Sequence, residues 1–347
     1  MDIKELDIEL FKLPFENWYN KEIEILDLVQ HDLKSMFVST LTDSKLLDHY
    51  YYSFKVLKKR GGLREIFAPT FELKEVQRKI ADYLIFNKKQ NLNVSFGFEL
   101  NTNMVAGAMQ HTNKEIVLNL DIKDFFKSIN KKMIGESLKR TFNIDDVPWK
   151  FLEIVTLHGY LPTGAPSSPV LSNIYCYDMD LELLKFSKEY KLTYTRYADD
   201  LTFSTNEKIN KKKIVKLITD ITKKYYFEIN TEKTKVYNKS YRQEVTGLVV
   251  NEKVNLKREF RYDLKALLYN WKKYGYSVAE KKFKEKYPKK NFISTVKGWI
   301  EFYGMVKGKE DPQFKKFNNA FVSLHRTETH IATFNELLKN NTVDEQF

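Results

Sequence analysis

The chain has 347 residues, enough for a substantial core in about two domains or one large multi-lobed one. Its 58 Lys and Arg outnumber 46 Asp and Glu, and 14% of residues are aromatic, a balance that suits a polyanionic partner whose phosphates meet cations and whose bases or sugars meet rings. A single cysteine, Cys176, excludes an intrachain disulfide and a cysteine zinc cluster. The start, Met1-Asp2-Ile3-Lys4-Glu5, lacks the apolar core of a signal peptide, and no apolar run reaches the roughly 18 residues of a membrane span, so the expectation is a cytoplasmic protein with no membrane partner.

Residues from about 21 to 54 read as mainly helical, and the stretch 58–69 as a basic hairpin turning at Gly61-Gly62. Val76, Ile80 and Leu84 then mark a helix by their i,i+4 spacing. Ile116 to Ile122 reads as a strand, followed by a helix capped near Ser128 or Asn130 with Ile134, Leu138 and Phe142 on one face. Ser168-Pro169 supplies an N-cap and a first-turn proline for a long helix carrying Leu171, Tyr175 and Met179. From Leu192 to Ser204 two alternating runs meet at Asp199-Asp200, as in a half-buried antiparallel hairpin with two carboxylates at its tip. A helix with Ile214, Leu217, Ile218, Ile221 and Tyr225 under a lysine-rich face follows. Val245 to Val254 then reads as a second hairpin turning near Asn251-Glu252-Lys253, and everything from Leu256 onward as helical and basic. This order suggests a core sheet with helices packed on it.

Adjacent carboxylates repel, so a fixed aspartate pair implies a compensating charge, of which a divalent metal is the obvious candidate; a solvated turn accounts for the pair equally well when it is taken alone. Asp121, emerging from the apolar strand, adds a third carboxylate. Strand-end and hairpin-tip acids on neighbouring rigid elements meet the requirement of two Mg²⁺ ions about 4 Å apart, which activate a 3′-hydroxyl and stabilise leaving pyrophosphate. Between them, Leu161-Pro162-Thr163-Gly164-Ala165-Pro166-Ser167-Ser168-Pro169 is a small-residue loop entering a helix, open to close approach by a backbone or a nucleotide.

These segments, in the order Leu120-Asp121-Ile122-Lys123-Asp124-Phe125-Phe126, Leu161 to Asn173, Arg196-Tyr197-Ala198-Asp199-Asp200-Leu201 and Asn230-Thr231-Glu232-Lys233-Thr234, resemble the motifs of reverse transcriptases. With Val245-Thr246-Gly247 they resemble most the bacterial retron type, over roughly residues 50 to 260. Two positions depart from that pattern: Thr163 stands where many relatives have Gln, and Gly107 where an Asn-Ala-x-x-His signature begins, His111 being kept.

The resemblance implies an α+β right-hand polymerase. Residues 1–115 would form an N-terminal segment and fingers, 116–255 the palm with part of the fingers (about 130–165), and 256–347 a helical basic thumb. It implies Asp121, Asp199 and Asp200, with Ile122, as metal ligands for two Mg²⁺ ions. Arg64, Lys58 and the backbone of Ile122, Lys123, Asp124 and Phe125 would hold the triphosphate of a dNTP, Thr163 and Gly164 would lie against it, and Phe126 would be a steric gate against the ribose 2′-hydroxyl. Lys233 would be the basic residue near the leaving phosphate. Val245, Thr246 and Gly247, running on to Asn251, would form the primer grip, and His111, Lys257 and Arg258, with Arg261, Lys272 and Lys273, would attend primer or RNA. The implied function is RNA-directed DNA synthesis on a cognate structured noncoding RNA, started from a 2′-hydroxyl to give branched RNA–DNA in antiphage defence, with the cDNA product and a separate effector protein as partners. Rivals are another bacterial reverse transcriptase, of abortive-infection or group II intron type, and a noncatalytic RNA-binding scaffold of the same fold.

Overall fold

The computed structural model describes residues 48–57, 61–88 and 92–341. The expected helix over 21–47 and the expected contact at Lys58 lie outside these residues.

The first described elements correct the expectation of a helix reaching 54. Tyr51–Leu57 is a strand, β1, paired antiparallel with β2 (Leu63–Pro69) from Tyr51 against Pro69 to Leu57 against Leu63. Its composition, aromatic and β-branched, suits a strand that has found a partner. Gly61 and Gly62 lie in the loop between the strands, both at positive φ (87° and 79°). Helix α1 (Phe71–Asn87) buries Leu73, Gln77, Ile80 and Leu84. Gln77 is tolerated on that face because its Nε2 donates to the Tyr51 hydroxyl and the Ile154 carbonyl, each at 2.8 Å.

A short helix, α2 (Met104–Met109), is capped by the Asn103 side chain and leads to β3 (Ile116–Asp121). After a 3₁₀ turn (Phe125–Ser128) comes α3 (Lys131–Phe142), capped by Asn130 rather than Ser128, since the Asn130 Oδ1 accepts from Met133 N–H at 3.1 Å. Helix α4 (Trp149–Val155) and the long α5 (Ser168–Glu189) follow. Ser168 is not the cap of α5 but its first residue; its hydroxyl donates instead to the Pro162 carbonyl at 2.7 Å and holds the loop. Strands β4 (Thr193–Tyr197) and β5 (Asp200–Thr205), helix α6 (Lys211–Lys224) and β6 (Lys235–Asn238) complete an antiparallel sheet of order β4-β5-β3-β6.

The sheet's alternation assigns its faces. Leu118, Leu120, Tyr194, Leu201 and Phe203 point into a core built with Met179 and Leu183 of α5 and Ile214 and Ile218 of α6. Val117 belongs to a second core with Val245, Leu248 and the helices α7 (Arg258–Tyr274), α8 (Tyr276–Lys286), α9 (Phe292–Lys307) and α10 (Pro312–Asn341). Between sheet and helices lies a hairpin of β7 (Glu244–Val245) and β8 (Leu248–Val249). It turns at Thr246 (φ 48°) and Gly247 (φ 87°), a reversal the sequence reading did not anticipate; the expected turn near Asn251-Glu252-Lys253 is present as a second reversal, which pairs Asn255 antiparallel with Val249. Consecutive left-handed residues make the tight turn, and glycine takes the second without cost. The architecture is α+β, a sheet backed by helices with a helical lobe on its other face, the arrangement of a right-hand polymerase. No helix among the described residues is long and apolar enough to cross a membrane.

Candidate active site

The three carboxylates converge through pairing. β3 and β5 place Asp121 directly opposite Asp200, and the turn joining β4 to β5 is only Ala198-Asp199, with Ala198 at φ 54°. Ile122 N–H donates to the Asp199 carbonyl at 2.9 Å, which stitches the end of β3 to the turn. Burial, and to a lesser degree the neighbouring Asp121, raise the Asp199 pKa from its ordinary value, while a backbone hydrogen bond, Lys233 and Arg64 act against this. Asp200 is pushed up to about 7 by burial, then by Asp199 and Asp121. Ionising these carboxyls together is therefore costly in the protein alone, a cost that a bound cation would relieve.

Lys233 is the nearest compensating cation. Asn230 N–H donates to the Asp121 carbonyl at 2.8 Å, and the turn that follows aims the Lys233 ammonium at both Asp121 oxygens, at 2.8 and 2.9 Å. Among the described residues no three His, Cys, Asp or Glu side chains enclose a metal position. Oxygen donors of this kind still fit Mg²⁺, which is commonly held by one or two carboxylates together with substrate phosphates rather than by a closed protein cage.

Beside the acids, Lys123 N–H is taken by the Glu228 carbonyl (2.8 Å), and Asp124 adopts a left-handed conformation (φ 47°) that starts the 3₁₀ turn. Phe125 is buried, stacked on Phe227 at 5.5 Å between ring centroids, whereas Phe126 is half-buried and tilted against Phe125 at 5.3 Å. The side chains of Lys123 and Asp124 are exposed, and Lys123 faces Glu228 at 3.4 Å. Arg64, exposed on β2, is close enough to act on Asp199. Thr163 and Gly164 close onto that same strand. The Thr163 hydroxyl reaches the Glu65 carbonyl (3.3 Å) and the Phe67 N–H (3.4 Å), and a Cβ on Gly164 would stand 2.4 Å from the Phe67 carbonyl oxygen. Their observed role is to clasp the β1–β2 hairpin.

Two expectations for primer or RNA contact, His111 and Val245, need correction. His111 is fully buried, its ring nitrogens 2.7 Å from the Ser204 and Thr195 hydroxyls, and burial lowers its pKa to about 3. It is a neutral tie between α2 and the sheet, out of reach of a nucleic acid. Gly107, in place of the signature asparagine, leaves room for Phe96, whose Cβ and Cγ lie 3.1 Å from where a Cβ would stand. Val245 is also buried, in the second core, so only the Thr246-Gly247 turn of that tripeptide reaches the surface. Lys257 is engaged by Glu244, while Arg258 is exposed at the start of α7.

The structure adds residues to which the sequence pattern gave no role. Arg196 is 1% exposed beneath the Ala198-Asp199 turn. Its Nε lies 2.9 Å and its Nη2 2.7 Å from the two Asp180 oxygens, its Nη1 donates to Asn173 Oδ1 (2.9 Å) and Ala198 O (3.3 Å), and Tyr194 OH donates to Asp180 (2.7 Å). A signal for it existed: Arg196 occupies the apolar parity of β4, with Leu192 and Tyr194, where a charge requires a buried partner. Asn119, two residues before Asp121 on the same face of β3, donates to the Glu244 carbonyl at 2.6 Å and anchors the β7–β8 hairpin to β3.

With this geometry in hand, the chain matches the family described as Reverse transcriptase (RNA-dependent DNA polymerase) over residues 56–262. The retron Mx65 reverse transcriptase of Myxococcus xanthus is 32% identical over 238 residues, covering 63% of this chain and 56% of the relative. The retron Ec86 reverse transcriptase of Escherichia coli is 30% identical over 292 residues, covering 80% of this chain and 85% of the relative. This chain thus spans little more than half the length of the Myxococcus protein. Among solved structures, apo telomerase from Candida tropicalis aligns over 85% of this chain and 67% of its own, with 16% identity and a TM-score of 0.44.

Proposed function

The chain belongs to the reverse transcriptase (RNA-dependent DNA polymerase) family and within it to the retron type, and on that premise we propose that it copies a cognate structured noncoding RNA into DNA. Synthesis would start from a 2′-hydroxyl of that RNA and leave a branched RNA–DNA molecule, made in the cytoplasm for antiphage defence with a separate effector protein. The observation that carries the polymerase reading is the convergence of Asp121, Asp199 and Asp200 on one strand-end and turn, with Lys233 against Asp121.

In this reading Asp121, Asp199 and Asp200, with Ile122, would hold two Mg²⁺ ions. When bound, such ions lower the pKa of the attacking hydroxyl and neutralise the departing pyrophosphate. The protein's own residues set the stage for that. The Ile122 to Asp199 hydrogen bond fixes the acids relative to each other, and the buried Arg196 stiffens the turn from below. Lys233 carries positive charge and a proton beside Asp121, where the leaving phosphate would receive them. Arg64 and the turn after Ile122 would receive the triphosphate of a dNTP, and Phe126 would crowd a 2′-hydroxyl. The N-terminal segment and fingers would end near residue 115, the palm with part of the fingers (about 130–165) would run over 116–255, and the helical basic thumb would begin at 256. A noncatalytic scaffold is disfavoured because three mutually repelling acids facing a polyanion weaken its binding unless metal is present.

The test is to express the gene with its flanking DNA, purify the protein and examine its nucleic acid beside an Asp199→Asn control. DNA joined to RNA with wild type alone supports the retron reading. Unbranched cDNA would place the enzyme in another reverse-transcriptase class. RNA alone in both preparations would favour a scaffold.

A further inference from the structure

Phe98 occupies a position that its conformation makes costly and its surroundings enforce. The chain at Val94–Gly97 runs along the free edge of β4: Arg196 N–H donates to the Val94 carbonyl at 2.7 Å, and Phe96 N–H to the Arg196 carbonyl at 2.8 Å. Gly97 is pressed against the catalytic turn, where a Cβ would stand 2.9 Å from Ala198 N. The next residue, Phe98, lies in the left-handed region at φ 64°. Asn93 and Asn101 in the same loop do so as well, at φ 55° and 57°, but asparagine tolerates this conformation through local hydrogen bonding, and a bulky ring has no such compensation.

The loop keeps the strain because it is over-determined. The Asn173 Nδ2 donates to the Gly97 carbonyl (2.9 Å) and the Glu99 carboxylate (2.8 Å), and the Thr102 hydroxyl donates to the Phe96 and Glu99 carbonyls (3.2 and 3.1 Å). The ring so held is not used for burial, since Phe98 is 39% exposed. It stands 6.5 Å, centroid to centroid, from both Phe126 and Tyr197, and Phe126 meets Phe125 as well, at 5.3 Å. Phe126 therefore has one ring behind it in the core, Phe125, and a second, the part-exposed Phe98, also against it.

We propose that Phe98 is a positioning residue for sugar selection, its ring bracing Phe126 so that the gate cannot yield to a 2′-hydroxyl. The inference rests on the assignment of Phe126 as that gate. Because Phe98 is carried by a loop hydrogen-bonded to β4, the brace is fixed to the same strand that carries the catalytic turn.

The test is the ratio of kcat/KM for an rNTP to that for the matching dNTP, on a primed RNA template. The proteins are wild type, Phe98→Ala, Phe98→Gly, Phe126→Ala and the double variant Phe98→Ala/Phe126→Ala. Phe98→Gly removes the ring and relieves the left-handed backbone together, so it reports on the ring even if Phe98→Ala folds poorly. Both Phe98 variants are expected to raise the ratio about threefold to tenfold, the effect of losing one aromatic contact, with dNTP use little changed. The double variant is expected to match Phe126→Ala alone. If Phe126→Ala raises the ratio and the Phe98 variants do not, or lower both nucleotides equally, the bracing role is refuted and the gate stands. If Phe126→Ala leaves the ratio unchanged, the gate assignment and the bracing role fall together.

Discussion

Arg196→Met isolates the support beneath the Ala198-Asp199 turn. In the native protein the guanidinium makes two contacts with Asp180 at 2.9 Å or closer, one with Asn173 at 2.9 Å and one with the Ala198 carbonyl at 3.3 Å, with Arg196 and Asp180 1% and 3% exposed. Burial alone opposes the Arg196 charge, but the adjoining Asp180 more than offsets this and keeps the group protonated. Removing one member of such a pair leaves an uncompensated charge in the core, a loss of about 3–5 kcal/mol. Methionine fills much of the volume, so little of that loss would come from a cavity. The second variant, Arg196→Met/Asp180→Leu, removes both charges and should regain at least half of the stability, because a well-packed apolar pair is often no worse than a buried ion pair. Urea denaturation of the three proteins measures this. Primer extension at saturating dNTP measures the turn separately, since the double variant still lacks the bond to Ala198 and should remain slow after its stability returns. A single variant within about 1 kcal/mol of wild type, the value of an ordinary hydrogen bond, would show that the pair is neither well desolvated nor supporting the turn.

What the sequence revealed and what it hid divide along physical lines. Periodicity is a local property, so β3, the hairpin around Asp199 and the stripes of α1, α3 and α6 were legible from it. The α+β polymerase fold followed from the resemblance of the ordered motifs to those of reverse transcriptases. The strand at Tyr51–Leu57 was not legible as one, because its six exposed positions carry no inside-outside contrast and only pairing with β2 settles its conformation. His111 and Val245 sit next to motif residues in the chain, yet burial removes both from any surface, and adjacency in sequence does not report that. Arg196 was readable in principle from its apolar parity, whereas its partners Asp180 and Asn173 lie about two turns apart on a helix whose buried positions encircle it. Phe98 was the least accessible, since neither a left-handed φ nor a ring meeting Phe126 from 28 positions away leaves a mark on composition.

Three further outcomes are expected. Gly164→Ala would drive a Cβ to 2.4 Å from the Phe67 carbonyl oxygen and 3.0 Å from Ala68 Cα, both backbone of β2, so the strand carrying Arg64 must shift at a cost of about 1–3 kcal/mol. Steady-state extension should then show a raised KM for dNTP, while Thr163→Ala, which loses only contacts of 3.3 and 3.4 Å, should change it little; equal effects would deny the clasp. Lys233→Met, which strips the ammonium from Asp121, should lower kcat about a hundredfold, the scale of a lost proton donor, with template affinity by filter binding unchanged. The pH dependence of metal binding follows from Asp200, raised to about 7 by burial and by the two neighbouring carboxylates, and from Asp199, raised in the same direction. A carboxyl with a raised folded-state pKa favours folding while it is neutral, so its contribution is complete below the unfolded value and is lost as pH rises through about 7 in the metal-free protein. A divalent ion needs the ionised form and pairs with it, so the rise in Tm on adding Mg²⁺ should be small near about pH 5.5 and large near about pH 8. Equal Mg²⁺ shifts at both pH values, at matched ionic strength, would mean that the ion does not bind at these aspartates.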